Sequence, residues 1–312
     1  MMIASFPNFT PLTLDDREEY ERFVQSYPPF SDISFATLHI WWNLEGKLEV
    51  CELNGNLIIS YYQSFDELNS GLSLVGQNRV DESVKILLEH QKKVGYPVRL
   101  VHVPQFVVDK LEFRDGLDIE EELDYNEYIL DSQALASLEN PIHGRTRRKV
   151  KRFLREVENR KVEIKELDTS TPEARDQILK SILSWETNRS SDNDPHQTEH
   201  HAIKKTLSQS PQLGIKNLGL YIDENLCAVF LYHTSHDKQY YIMNHLKVDY
   251  SIPFIFDYMT HTIADRAVRE NINFLNMEMD LGIENLRRHK LGLRPVDFFR
   301  KYTISQIVNK LL

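Results

Sequence analysis

The chain has 312 residues, a hydrophobic fraction of 41%, a charged fraction of 27% and a formal net charge of -10. These values exclude a disordered chain and leave room for two ordinary domains with ample cores. No apolar run approaches the ~20 residues a membrane-spanning helix needs, and the opening MMIASFPNFTPLTLDD lacks a basic-then-apolar leader, so a cytoplasmic protein without a transmembrane segment is expected.

In chain order, residues 12–27 (LTLDDREEYERFVQSY) read as a helix capped near Asp15 or Asp16. KLEVCEL and LIISYYQ flank Asn54-Gly55, a strong two-residue hairpin signal. An amphipathic helix over 83–95 ends on Gly95, and PVRLVHV (97–103) follows as a strand. The second half repeats this order. LGLYID (218–223) and LCAVFLYHT (226–234) flank the turn Asp223-Glu224-Asn225, QYYIMNHLKV (239–248) adds a strand, 252–270 a helix, and INFLNMEMD (272–280) a last strand. This order indicates an α/β or α+β layer fold, duplicated. The acidic stretch RDGLDIEEELD (114–124) is the natural boundary, giving domains 1–118 and 119–312. Cys51 and Cys227 fall in apolar strand-like stretches and read as reduced, buried thiols; Trp41, Trp42 and Trp185 read as core.

Positive charge is concentrated. HGRTRRKVKRFLR (143–155) holds seven Lys or Arg in thirteen positions, directly after residues 121–142, which hold six acids and no base. Val150, Phe153, Leu154 and Val157 fall at helical spacing, so the island is an amphipathic helix with Arg145, Arg148, Lys149, Arg152 and Arg155 mostly on its outer faces. Three readings remain open: a surface helix pairing with the acidic 114–131 stretch, an anion site near the helix start, and a membrane-surface helix. Nucleic-acid coating proteins are basic over a whole face, so no stable DNA binding is expected.

In NMEMDLGIENLRRHKLG (276–292), strand alternation puts Glu278 and Asp280 on one face, about 7 Å apart. Gly282 then breaks the strand, and a short helix carries Arg287, Arg288 and Lys290. Two acids at a strand's carboxyl end beside basic residues resemble an active-site edge. A structural reading stands equally: Asp280 caps the helix and Glu278 pairs with a nearby base. No G-x-G-x-x-G, Walker A or G-x-S-x-G sequence occurs. DPHQTEHH (194–201) reads as a polar loop entering a helix rather than a metal site, since only His196 and His200 have ligand spacing.

Three segments together resemble the C-terminal domain of bacterial phosphatidylglycerol lysyltransferases and their soluble relatives. EYILDSQALASLENPIHGRTRRKVKRFLREV is similar to that family's strand-to-basic-helix entry. NHLKVD (244–249) resembles its His-x-x-Lys strand end, with Lys247 in register and His245 out of it. Asn276, Asp280, Leu281, Gly282, Leu286, Arg287, Lys290, Pro295, Lys301 and Tyr302 match its most specific block, and SDISFATLHIWW (31–42) extends the likeness toward the N-terminus.

The resemblance implies two tandem GNAT-like acyltransferase domains with mixed central sheets, a V-shaped split near 239–256, and an aminoacyl-tRNA donor; the fold alone implies acyl-CoA. The pyrophosphate loop of such folds is Gly-rich, whereas here it is VDYSIPF. The expected function is acyl or aminoacyl transfer to an amine or hydroxyl. Asp280 or Glu278 is expected as base, and Arg287 and Lys290 as anion holders. Arg145, Arg148 and Lys149 would steer a phosphate-bearing donor, with tRNA as a candidate, and Asn276, Lys247 and Tyr302 complete the substrate contacts. The rival expectation is a non-catalytic GNAT-like module that binds a small ligand or a protein.

Overall fold

The computed structural model describes residues 3–43, 48–62, 70–187 and 196–307. The chain forms two compact units. The first comprises Met1–Glu127, Met279–Gly282 and Phe298–Leu312, and the second Tyr128–Glu278 and Ile283–Asp297.

The first unit begins with β1 (Thr10–Pro11), α1 (Arg17–Val24) and α2 (Phe35–Thr37), followed by β2 (Glu49–Leu53) and β3 (Asn56–Ser60). Next come β4 (Leu72–Val75), α3 (Val80–Val94), β5 (Arg99–Pro104), α4 (Gln105–Val108) and β6 (Leu117–Glu121). The chain continues through β7 (Glu127–Asp131), α5 (Ser132–Ser137), α6 (Gly144–Glu156), β8 (Val162–Glu166), α7 (Pro172–Thr187) and α8 (His196–Leu213). It then forms β9 (Lys216–Ile222), β10 (Asn225–Thr234), β11 (Tyr240–Val248), α9 (Ile255–Arg269), β12 (Phe274–Asn276), α10 (Glu284–Gly292), β13 (Asp297–Phe299) and β14 (Lys301–Gln306).

Two seven-stranded sheets result, ordered β1-β2-β3-β4-β5-β14-β6 and β8-β9-β10-β11-β12-β7-β13. Strand for strand the two orders correspond, which is the duplication expected from the hairpins. Both hairpins turn on two left-handed residues: Asn54 (φ 54°) with Gly55 (φ 76°), and Asp223 (φ 49°) with Glu224 (φ 68°). That backbone matches strand twist, and Asn, Asp and Gly adopt it most readily. In each half one crossover helix joins a parallel pair, α3 between β4 and β5 and α9 between β11 and β12. α3 buries Val80, Val84, Leu87 and Leu88 against a core that includes Ile58, Leu72 and Leu100; α9 likewise buries one face, with Ile255, Met259, Ile263 and Ala267.

The expected division at 118/119 cuts the chain once, but the compact units are discontinuous in sequence. The consecutive strands β13 and β14 belong to different sheets, as do β6 and β7. The expected cap at Asp16 is present: Asp16 is the N-cap residue of α1, and its Oδ2 accepts the Thr13 N–H (2.9 Å) and hydroxyl (2.6 Å) across a preceding 3-10 turn, Leu14–Asp16. Two other local expectations change. Leu154 is 46% exposed, leaving Val150, Phe153 and Val157 as the buried stripe of α6. Trp42 and Trp185 are buried but Trp41 only half so.

Candidate functional site

β11 and β12 run in parallel through three rungs, the last Ile242↔Asn276, and then part. β11 continues to Val248 beside β10, whereas β12 ends at Asn276. The strand expected over 272–280 is therefore short, and Glu278 and Asp280 share no strand face. Glu278 adopts φ +56°, a left-handed conformation incompatible with a strand. Its N–H donates to Asn276 Oδ1 (2.9 Å), and its carbonyl accepts from Tyr128 N (3.4 Å) and Lys290 Nζ (3.2 Å).

The two acids consequently differ. Asp280 is fully buried, belongs to the first unit, and accepts the Gly282 N–H at 2.9 Å, a turn-forming contact. Glu278 is half-buried at the mouth where the strands part, with Asn244 Nδ2 donating to its Oε1 at 3.3 Å. Lys290, expected to hold an anion, is buried instead and donates to the Met277 (2.7 Å) and Glu278 carbonyls. Its ammonium also lies 5.7 Å from the Tyr128 ring centre. Arg287 is half-buried on the same helix, and Asn276 is fully buried.

Beside this mouth, α6, α9 and α10 surround an open cleft of about 180 Å³ lined by Arg145, Thr146, Lys149, Asp257, Asn285, Arg288, His289, Gly292 and Leu293. Phe153 of α6 stacks on Tyr258 of α9, ring centres 4.2 Å apart, which fixes one wall. Lys149 Nζ pairs with Asp257 Oδ1 at 2.8 Å. Burial holds the His289 imidazole below its ordinary pKa; Asp257 opposes that, while Lys149, Lys290 and Arg145 reinforce it. The cleft is thus net positive. Among the described residues no ion pair is formed by Arg145, Arg148, Lys151 or Arg155.

Of the remaining expected residues, Lys247 does not face this cleft. Its Nζ lies 2.8 Å from Glu186 and 2.6 Å from Glu199, a largely buried ionic group. Tyr302 belongs to β14 of the first unit. Among the described residues no group of three His, Cys, Asp or Glu could hold a metal ion; residues 194 and 195 and the His196 side chain lie outside them. No helix of the described residues is long and apolar enough to cross a membrane.

The family described as "Phosphatidylglycerol lysyltransferase, C-terminal" matches residues 27–305. The chain belongs to that family. Among solved structures, a conserved protein of unknown function from Bacteroides thetaiotaomicron is 22% identical with a TM-score of 0.81, covering 96% of this chain and 99% of its own. L-PGS from Bacillus licheniformis is 15% identical with a TM-score of 0.60, over 100% of this chain and 96% of its own. FemX is 10% identical with a TM-score of 0.56, over 97% and 98%. These likenesses show the fold, and the tandem GNAT-like architecture stands. No curated protein matches the chain.

In this member of the lysyltransferase family, the loop entering α9 uses its own backbone donors internally. Ser251 N–H reaches Asp249 Oδ1 (2.9 Å), Ile252 N–H the Asp249 carbonyl (3.1 Å) and Ile255 N–H the Ile252 carbonyl (3.5 Å); Pro253 has no N–H. The cations near the start of α9 come instead from side chains of α6 and α10. Reading the sequence alone missed Asp257, His289 and Asn244. Asn244 heads the NHLKVD segment, so a signal existed there. Asp257 and His289 carry none, because a single acid or histidine on an amphipathic helix is indistinguishable from surface.

Proposed function

We propose that the chain transfers an acyl or aminoacyl group from a phosphate-bearing donor to an amine or hydroxyl. One observation carries the reading: a half-buried carboxylate, Glu278, sits where β11 and β12 part, and α10 ties it to a cationic cleft. His289 lines that cleft while the next residue, Lys290, holds the Glu278 carbonyl. Membership in a family named for lysyl transfer supports the same reaction class.

In this reading Arg145, Lys149 and Arg288 meet the donor's phosphates as charge-assisted donors. The acceptor's nitrogen or oxygen attacks the acyl carbon near Glu278. A C–N or C–O bond forms, the acyl carbon's bond to the donor's oxygen or sulfur breaks, and the acceptor's proton passes to the carboxylate. The leaving atom then takes up a proton. Aminoacyl-tRNA fits better than acyl-CoA, because the loop before α9 has few N–H groups to cradle a pyrophosphate, whereas side-chain cations suit an extended polyanion.

The shortage of backbone donors also favours a second reading, a module that binds an anionic ligand without turnover. Incubation with labelled aminoacyl-tRNA, or acetyl-CoA, and a panel of amine and hydroxyl acceptors separates the two. Label appearing in an acceptor supports transfer. Binding of tRNA or CoA, seen as a thermal shift, without product supports the module.

A further inference from the structure

Asn244 is the extra residue of a β-bulge. Along the β10–β11 ladder Leu231 faces His245 and Tyr232 faces Met243, leaving Asn244 with no opposite residue. Bulges re-aim a side chain and recur beside active sites. Here the re-aimed amide lies between two titratable groups: its Oδ1 is 2.8 Å from His233 Nδ1, and its Nδ2 donates to Glu278 Oε1 at 3.3 Å. A carboxylate only accepts, so the amide nitrogen must face Glu278 and the amide oxygen must face His233. That orientation requires a proton on His233 Nδ1. His233 and Asn244 are buried and Glu278 half-buried, so the chain of contacts runs from the interior to the mouth.

We propose that His233 and Asn244 are positioning residues that hold the Glu278 carboxylate ionised and aimed across the split. The proposal rests on the transferase reading above. The groups that face Glu278 include His233 through Asn244, Asn244 itself, Asn276 beneath its N–H, Tyr128 N–H, and the Lys290 ammonium on its carbonyl. The last three fix the backbone in a left-handed conformation that an unbranched acid adopts only at a cost. Asn244 acts on the side chain itself, donating to Oε1 of the carboxylate. Neither His233 nor Asn244 is required to touch the transferred group; both act through the carboxylate.

The test uses the unmodified protein first. With asparagine side-chain amides labelled with ¹⁵N, and the Asn244 signal identified by its loss in Asn244→Asp, the Asn244 amide protons should follow the titration of ¹³C-labelled Glu278. Asn244→Asp places two carboxylates side by side, and the upper apparent pKa of the pair should rise by more than about one unit. His233→Phe should raise the Glu278 pKa in the same direction by a smaller amount. An Asn244 amide that stays flat through the Glu278 titration overturns the proposal. So does a folded Asn244→Asp variant whose carboxylates titrate as Glu278 does in the unmodified protein. The same sample offered aminoacyl-tRNA, acetyl-CoA and acceptors distinguishes the two levels. A titrating amide without transfer overturns the transferase reading and keeps the positioning; transfer with a flat amide does the reverse.

Discussion

His102 and Glu278 occupy equivalent positions in the two sheets. Each lies two residues past a rung that its strand shares with its parallel neighbour, Leu72↔Leu100 in one sheet and Ile242↔Asn276 in the other. Both turn the backbone left-handed, φ +52° and +56°. Their surroundings differ. Trp42, Tyr61 and Tyr125 pack around the buried His102 ring at 4.5–5.4 Å between centres, so the first sheet fills this position with its own side chains. Glu278 is left half-buried at its mouth. The left-handed position is enclosed by packing in the first sheet and left half-buried in the second.

The strained turn at His102 depends on Glu122. Oε1 of that carboxylate accepts the His102 N–H (2.9 Å) and the Thr303 hydroxyl (2.6 Å), and Oε2 lies 2.6 Å from His102 Nδ1. Burial pushes the Glu122 carboxyl up, but His102 and these donors outweigh it and hold it down to about 2. A depressed carboxyl stabilises the fold above its unfolded value of 4.5 and loses that contribution as pH falls toward about 2. Glu122→Gln should therefore cost about 3 kcal/mol near neutrality, and the gap to the parent should close below pH ~4.5. Melting temperatures from pH 7 to pH 2 check it; a gap independent of pH contradicts it.

Lys301 is fully buried, its ammonium 2.6 Å from Asp32 and 2.8 Å from Glu127, both buried too. Burial works against the charged ammonium, but the two carboxylates prevail and raise its pKa above the ordinary 10.5. Lys301→Met leaves both carboxylates uncompensated and should destabilise the fold by about 3–5 kcal/mol. A raised amine stabilises fully below its unfolded pKa, so the deficit should be constant from pH 6 to 9 and shrink above about 10.5, where the unfolded chain loses this proton while the folded parent still holds it. Urea unfolding at several pH values measures it.

The cleft cations should act on affinity rather than on folding. Arg145→Ala should weaken binding of tRNA and reduce the slope of log affinity against log salt by about one. Asp257→Asn releases Lys149 from its 2.8 Å ion pair and should tighten the same binding. Fluorescence titration between about 50 and 200 mM salt reads both. An unchanged slope in Arg145→Ala removes that residue from the site.

Lys290 and Asp280 should behave oppositely to Arg145. Lys290→Met removes two bonds to backbone carbonyls, and Asp280→Ala removes the acceptor of the Gly282 N–H. Each should cost about 1–3 kcal/mol of stability. Neither should alter the salt slope for tRNA, which denaturation and the titration above measure side by side.

Much of the architecture is readable in the sequence because it is local. Asn54-Gly55 and Asp223-Glu224 encode their hairpins through left-handed propensity, and Val150, Phe153 and Val157 show which face of α6 packs. What escapes is set by distant partners. Nothing near Lys301 announces that Asp32 and Glu127 will enclose it, and a lysine by itself reads as surface. Lys290 turned inward for the same reason, to carbonyls over ten residues away. Strand alternation failed at Glu278 because alternation assumes continued pairing, and β12 loses its parallel partner after Asn276. Lys149 and Asp257 are 108 residues apart, a separation no periodicity spans.

Replacing Glu278 by Gln tests the central assignment most directly. The change keeps size and hydrogen-bonding shape but removes the base. Label transfer from aminoacyl-tRNA to an acceptor should fall by about 100-fold or more, the scale of one general base, while melting temperature and tRNA affinity stay at parental values. Transfer undiminished in folded Glu278→Gln would contradict the assignment of this carboxylate to the reaction.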